Sequence, residues 1–119
     1  MLKGAPITVI ETPEFLETAG RIMDDAERTL LIYHLARHPR SGDLVAGAGG
    51  VRKLRWALEG RGKRGGARII YYYHDDHVPL FALTAYAKNE RANLTQADRN
   101  ELRGLTKRLI AAFQRKPTR

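Results

Sequence analysis

The sequence has no cysteine and no long apolar run, and its acidic residues are fewer than its basic ones. Without cysteine the fold cannot depend on disulfide bonds, and no thiolate can act as a nucleophile. The same absence is compatible with a reducing cytoplasm, where we expect the protein to act. Since no apolar stretch is long enough to cross a bilayer and residues 1–6 lack the segments of a signal peptide, we expect no membrane partner.

The length of 119 residues, of which 43% are hydrophobic, suits a single domain with one packed core. Two domains of half this size would each bury too little surface to fold alone. No proline- or serine-rich linker divides the chain. We therefore treat residues 1–119 as one domain.

Positive charge is concentrated in one segment. The chain has a net charge of +8, and residues 51–68 contribute seven basic residues against the single acid Glu59. Cations packed into one stretch are typical of a protein that binds a polyanion. The alternative is a solvated surface without a partner, but such a surface usually mixes charges of both signs. The basic residues are Arg52, Lys53, Arg55, Arg61, Lys63, Arg64 and Arg68.

Hydrophobic periodicity and turn residues predict an α+β fold with the order β-α-α-β-β-β-α. In this fold a small, mainly antiparallel sheet carries an N-terminal helical hairpin on one face and is followed by a C-terminal helix. Strands are predicted at Pro6–Glu11, Val51–Leu58, Ala67–Tyr73 and Val78–Tyr86, and helices begin at Pro13, at Asp24 and after Thr95, which forms a capping box with Asp98.

Two further features follow from the same patterns. The second helix, which Pro39 ends, is predicted to bury an apolar stripe, and Ser41–Gly50 is predicted to be a glycine-rich loop. The stripe consists of Met23, Ala26, Leu30 and Tyr33, widened by Leu31 and Leu35. The loop lacks the Gly-Lys-Ser/Thr ending of a Walker nucleotide site.

The best candidate site is a pair of basic strands. Lys53 and Arg55 lie on one side of their strand because side chains repeat every two residues, and Arg68 lies near the start of the next strand. Cations can neutralise the phosphorane formed when RNA is cleaved through its own 2′-hydroxyl, and a lysine crowded by cations can take the hydroxyl proton. The same residues also suit a phosphate-binding surface without catalysis.

Other residues near these strands are candidates for RNA binding. Cations attract the phosphate backbone, and tyrosine rings can stack on unpaired bases. Tyr72 points to the opposite side of its strand from Tyr71 and Tyr73, so the alternative for at least two tyrosines is a half-buried structural role. The candidates are Arg52, Arg61, Lys63, Arg64, Tyr71, Tyr73 and Tyr86; Lys88, just after the third strand of the meander, joins the basic strands as a catalytic candidate, with Glu90 as its neighbour.

Histidine occurs in two places that could suggest a metal site. His74–His77 contains two histidines and two aspartates, but such residues are typical of a hairpin turn and successive turn residues rarely converge on one ion. His34 and His38 are four apart on a helix and are predicted to face solvent. Neither pattern matches a zinc motif, so we expect no metal and no cofactor.

Three segments in order resemble the HigB-like branch of the RelE/ParE toxin superfamily: Gly49–Arg55, Gly62–Tyr72 and Tyr86–Glu90. The resemblance extends over most of the chain, roughly from Val9 to Phe113. It implies a toxin of a type II toxin–antitoxin pair that enters the ribosome and cuts messenger RNA without metal. It also implies a cognate antitoxin, often of the helix-turn-helix kind, and assigns the catalytic role to Lys53, Arg55, Arg68 and Lys88.

The sequence departs from the RelE pattern at two places. Asn89 stands where an arginine is expected, and Leu94-Thr95 stands where a tyrosine is expected. Tyr71, Tyr73 and Tyr86 are the candidates to replace that ring. Two other functions remain open at this point: a ParE-like inhibitor of DNA gyrase, which has no nuclease site, and a non-catalytic RNA-binding module.

Overall fold

The computed structural model describes residues 5–58, 66–91 and 93–114. A five-stranded mixed sheet has one helical pair on one face and a single helix on the other. The elements are β1 Val9–Glu11, α1 Pro13–Gly20, α2 Asp25–Arg37, β2 Asp43–Leu44, β3 Val51–Trp56, β4 Ala67–Tyr72, β5 Leu80–Ala87 and α3 Gln96–Gln114. None of the helices in these ranges is long and apolar enough to span a membrane.

The strands are arranged in the order β1-β5-β4-β3-β2. β3, β4 and β5 form the predicted antiparallel meander, and β1 pairs with β5 in parallel. The α+β class and the helical hairpin are confirmed. The prediction that residues 41–50 form a loop alone was incomplete, because Asp43–Leu44 add a short edge strand antiparallel to β3.

Two apolar clusters flank the sheet. One joins α1 and α2 to the side chains of Leu54, Ile69 and Tyr71. The other joins α3 to Val51 and Ile70. We call these sides the hairpin face and the α3 face. Because strand side chains alternate, neighbouring residues of β3 and β4 belong to different faces, and the two faces can serve different purposes.

The predicted apolar stripe of α2 was partly wrong. Leu31 and Leu35 are fully buried, whereas Leu30 is 61% exposed and Tyr33 is 57% exposed. Leu31 and Leu35 are four residues apart and so lie on one side of the helix, and this side faces the sheet. Leu30 and Tyr33 therefore lie on the solvent side, where the guanidinium of Arg37 stacks over the Tyr33 ring.

The C-terminal helix begins with the predicted capping box. The Asp98 amide donates to Thr95 Oγ1 at 3.0 Å, and the Thr95 amide donates to Asp98 Oδ2 at 2.9 Å. The bonds from Thr95 lower the pKa of the Asp98 carboxyl, because they stabilise its charged form. The start of α3 is thereby fixed at Thr95.

A glycine allows α3 to pack against the segment before β3. Gly49 has φ +71°, and a Cβ built on it would lie 2.9 Å from Arg103 Cα. The Arg103 guanidinium also donates to the Gly47 carbonyl at 3.1 Å. Any larger residue at position 49 would be strained and would push the helix away.

Tyr71 fastens the loop between α2 and β2 to the hairpin face. Its ring is fully buried, its hydroxyl donates to the Pro39 carbonyl at 2.7 Å, and it accepts from the Gly42 amide at 2.8 Å. Burial raises the pKa of the Tyr71 phenol above its ordinary value, against the opposing effect of the Gly42 bond. Tyr71 is thus a structural residue.

Replacing Tyr71 by Phe should lower the free energy of unfolding by roughly 1–3 kcal/mol, because a buried amide would lose its partner. Tyr33→Phe removes the same hydroxyl from an exposed ring and should change stability by less than about 0.5 kcal/mol. Urea unfolding of both variants measures the difference. Equal losses would contradict the structural role of the Tyr71 hydroxyl.

The end of α2 contacts β3 through His34, whose ring centroid lies 5.5 Å from that of Trp56 and 5.1 Å from that of His38. His34 Nε2 lies 3.1 Å from Ser41 Oγ. Burial, assisted by His38, lowers the pKa of His34 below 6.5. The sequence had suggested that His34 faces solvent. Instead, its ring packs against Trp56 of the sheet.

This lowered pKa predicts a pH dependence of stability. Below pH 6.5 the unfolded chain binds a proton at His34 more readily than the folded chain does. The stabilisation from neutral His34 is therefore complete above that pH and is lost as the pH falls through it. Urea unfolding near neutral pH and about two units lower should show a smaller loss in His34→Gln than in the wild type.

His77→Gln removes an exposed histidine from the turn before β5 and serves as the control. It should keep the wild-type difference between the two pH values. A wild-type difference retained in full by His34→Gln would contradict the assignment to His34.

Candidate nucleic-acid interface

The sheet register aligns two arginines and a tyrosine across three strands. Arg55 of β3 lies directly opposite Arg68 of β4, and Arg68 lies directly opposite Tyr86 of β5. Lys53 is two residues from Arg55 and so shares its face. Val51 and Ile70 on these strands belong to the α3 cluster, which places all four side chains on the α3 face. We call Lys53, Arg55 and Arg68 the basic row.

None of the members of the basic row forms an ion pair within the described residues. Arg68 donates to a backbone carbonyl, that of Ala67, at 3.3 Å. Directly opposite residues have Cβ atoms only about 4.5–5.5 Å apart, and like charges in that arrangement destabilise a sheet. The basic row is thus a locally unfavourable arrangement that a bound anion would relieve.

A cleft of about 420 Å³ opens beside the basic row. Residues 53–55 of β3 line one part of it, Arg99 of α3 lines another, and Ser41 with residues 43–46 lines the rest. Asp43, opposite Lys53 in the β2–β3 register, is the one carboxylate among the described residues that line the cleft. Three cations against one carboxylate give it a strong preference for anions.

Tyr86, the cross-strand partner of Arg68, has a buried ring. It is 7% exposed, and within the described chain its enclosed hydroxyl has no hydrogen-bond partner. The Arg91 guanidinium lies 5.2 Å from the ring centroid. Burial raises the pKa of the Tyr86 phenol, although the charges of Arg91 and Arg68 oppose the shift. The phenol therefore stays protonated at neutral pH and can donate a hydrogen bond.

Two of the tyrosines predicted to bind RNA lie on the wrong face. Tyr71 and Tyr73 belong to the cluster on the hairpin face, and the Tyr73 hydroxyl donates to Asp76. Tyr71 is fully buried and Tyr73 is 8% exposed, so neither ring is free to stack on a base. Tyr72 is the neighbour that shares the α3 face, where its hydroxyl contacts His74 Nδ1 at 3.1 Å.

Arg52 also lies opposite to the basic row. It pairs with Tyr71 in the β3–β4 register, and its guanidinium donates to the carbonyls of Gly42 at 2.7 Å and Arg40 at 3.3 Å. These bonds hold the same loop that Tyr71 holds. The prediction that Arg52 binds RNA is corrected to a structural role.

Lys88 follows the last residue of β5 and is exposed. Its amide donates to the Gly66 carbonyl at 3.0 Å, so it lies at the sheet end where β4 begins, near Arg68 in the register. The sequence also suggested that Glu90 pairs with a neighbouring cation, but among the described residues it forms no ion pair, and its carboxylate accepts from the Ala87 amide at 2.8 Å. Arg61, Lys63 and Arg64 lie outside the described residues.

The histidine-rich segment after β4 forms the predicted turn. Asp75 Oδ1 accepts from the amides of His77 at 2.8 Å and Val78 at 3.1 Å, as an aspartate does in a turn. Over the described ranges, no group of three or more histidine and carboxylate side chains could hold a metal ion.

The sequence did not indicate Arg99 or Asp43 as members of the site. Arg99 belongs to the polar side of an amphipathic helix, which periodicity alone assigns to solvent. Asp43 lies in the short edge strand, and a strand of two residues has no periodicity to detect. The capping box at Thr95 was the signal that could have fixed where Arg99 points.

A family model of the RelE toxin of the RelE/RelB toxin–antitoxin system matches residues 21–118. This range covers α2, all strands from β2 to β5 and α3, and therefore includes the basic row and the cleft. The assignment to the HigB-like branch stays a prediction, since the matching model describes RelE. With most of its length matched, the chain belongs to the RelE family and is a toxin of a toxin–antitoxin system.

Proposed function

We propose that this toxin cleaves messenger RNA on the ribosome, without a metal ion, through attack of the RNA's own 2′-hydroxyl. The observation that carries the proposal is the basic row: Arg55 and Arg68 are direct partners in the β3–β4 register, Lys53 lies beside them, and none of the three forms an ion pair in the part of the chain that the structure describes. A sugar–phosphate chain supplies the missing negative charge.

The proposed reaction forms a bond between the 2′-oxygen and phosphorus and breaks the bond from phosphorus to the 5′-oxygen. The products are a 2′,3′-cyclic phosphate and a free 5′-hydroxyl. Arg55 and Arg68 stabilise the charge that develops on the phosphorane oxygens, because paired guanidinium groups match phosphate geometry. Both are strand residues, so their positions are set before substrate binds.

Two proton transfers complete the reaction. We assign Lys53 to accept the proton of the 2′-hydroxyl through the uncharged form of its amine, the form in which a lysine acts as a base, since it shares the face of Arg55 and lines the cleft. The 5′-oxygen needs a proton donor, and we assign Lys88, which is exposed at the sheet end. The Tyr86 hydroxyl is enclosed, so contact of Tyr86 with RNA stays a prediction.

Membership of this toxin family implies an antitoxin partner. We expect the antitoxin to neutralise the basic row or to block entry into the ribosome by its bulk, and we expect a helix-turn-helix protein from the resemblance stated above. An acidic segment would suit the first mode, because the row is cationic and unpaired.

The test is expression of the toxin without antitoxin, followed by primer extension on messages from translating ribosomes. The wild type should arrest growth and produce discrete cleavage ends. Arg68→Ala and Lys53→Ala should each slow cleavage by roughly 10²–10³-fold, which is typical for loss of one transition-state contact. Arg21→Ala, which removes an exposed arginine at the end of α1, should leave cleavage unchanged.

Several outcomes would contradict this function. Growth arrest at full strength in folded Lys53→Ala and Arg68→Ala proteins would show that the basic row is not the site. RNA binding without cleaved messages would favour a non-catalytic RNA-binding module. Inhibition of purified gyrase in a supercoiling assay would favour the ParE-like alternative.

A further inference from the structure

A third cation faces the cleft beside the basic row from a different element. Arg99 lies in the first turn of α3, whereas Lys53 and Arg55 belong to β3, and all three line the same cleft of about 420 Å³. We propose that Arg99 binds a second phosphate of the RNA strand, next to the one that is cleaved. This inference rests on the proposed function, because it takes RNA as the substrate.

The other arginines in the first half of α3 and just before it are already engaged. Arg91 forms an ion pair with Asp98 at 3.1 Å, and Arg103 donates to Asn100 Oδ1 at 2.9 Å and to the Gly47 carbonyl. By contrast, the Arg99 side chain has no ion pair, and its Nε is enclosed without a hydrogen-bond partner in the described part of the chain.

An enclosed guanidinium nitrogen without an acceptor is costly, because it has given up water and gained nothing in return. Such a group calls for an acceptor that arrives with a ligand. The neighbouring cations, Lys53 and Arg55, make that acceptor an anion, and Asp43 alone cannot neutralise three positive side chains. A phosphate oxygen satisfies both the hydrogen bond and the charge.

The position of Arg99 is fixed from two directions. The Thr95–Asp98 capping box sets the first turn of α3, and the contact of Arg103 with Gly47 holds the helix against the segment before β3. Arg99 therefore approaches the cleft from a rigid support and not from a loop. A rigid cation that lines the same cleft as Lys53 and Arg55 but belongs to a different element suits a second contact with the RNA backbone.

The expected role is positioning, since Arg99 is outside the Arg55–Arg68 pair that faces the scissile phosphate. A contact made equally in the bound substrate and in the transition state affects KM and leaves kcat unchanged. Loss of Arg99 should thus raise KM, whereas loss of Arg68 should lower kcat. This division separates the two kinds of cation in one kinetic experiment.

The direct test uses a 2′-O-methyl RNA of roughly ten nucleotides, a length within the usual range of single-strand sites, which binds but cannot be cleaved. Fluorescence anisotropy gives its affinity for the full-length toxin at several salt concentrations. Each phosphate contact to a single strand contributes about 0.7 to the slope of log K against log salt. Arg99→Gln should therefore bind more weakly and lose about 0.7 from that slope.

Two further variants serve as controls. Arg108→Gln removes the same charge from an exposed position on the same helix and should keep the wild-type slope. Arg99→Lys keeps the charge and should recover most of the slope lost in Arg99→Gln. Thermal unfolding followed by circular dichroism verifies that each variant is folded, and cleavage on translating ribosomes supplies the KM and kcat comparison.

The outcomes separate this inference from the function on which it rests. If the wild type binds and Lys53→Ala weakens binding, but Arg99→Gln behaves as Arg108→Gln does, then the Arg99 role is wrong and the proposed function stands. If Arg99→Gln lowers kcat without changing KM, Arg99 is not a positioning residue for the bound strand. If the wild type has no measurable affinity for the RNA, the Arg99 proposal fails, whereas the proposed function fails only if translating ribosomes also yield no cleaved messages.

Discussion

The β3–β4 register is the constraint on which the rest of this structure depends. It makes Arg55 and Arg68 direct cross-strand partners, and like charges in such positions cost stability in the absence of an anion. Moving one of the two strands by one residue would turn its whole set of side chains to the opposite face and expose the apolar residues that it buries. The apolar packing of the sheet therefore enforces a charge arrangement that would not form on its own.

The two faces of the sheet have different roles. On the hairpin face, Tyr71 and Arg52 bond the carbonyls of residues 39–42 and hold the loop that leads into β2. On the α3 face, the basic row stays free of acids within the described residues, and α3 brings Arg99 to the cleft. The α3 face also holds Val51 and Ile70 in its apolar cluster, so along β3 and β4 this face combines core residues at one end with the basic row at the other.

Most of the fold was predictable because its signals are local. Thr95 with Asp98, the Pro13 start of α1 and the alternation in β3 each depend on residues a few positions apart. Leu30 and Tyr33 were misplaced because several residues of α2 could form an apolar stripe, and the rotation that buries Leu31 and Leu35 is set by packing on the sheet.

The candidate site was predictable in its strand residues and not in its surroundings. Alternation alone puts Lys53 and Arg55 on one side, and antiparallel pairing of two consecutive strands brings Arg68 near them. The tyrosines could not be assigned, because the partner of the Tyr71 hydroxyl is a carbonyl 32 residues away. Arg99 and Asp43 reach the cleft through tertiary packing, which no short-range pattern describes.

The claim on which everything else depends is that RNA lies on the α3 face, along β3 and β4. An NMR titration of the labelled toxin with an uncleavable 2′-O-methyl trinucleotide tests it most directly. Amide shifts should concentrate at Lys53, Arg55 and Arg68 and near the start of α3, while the amides of α1 and α2 stay in place. Shifts centred on the helical hairpin, or spread evenly over the surface, would contradict the claim.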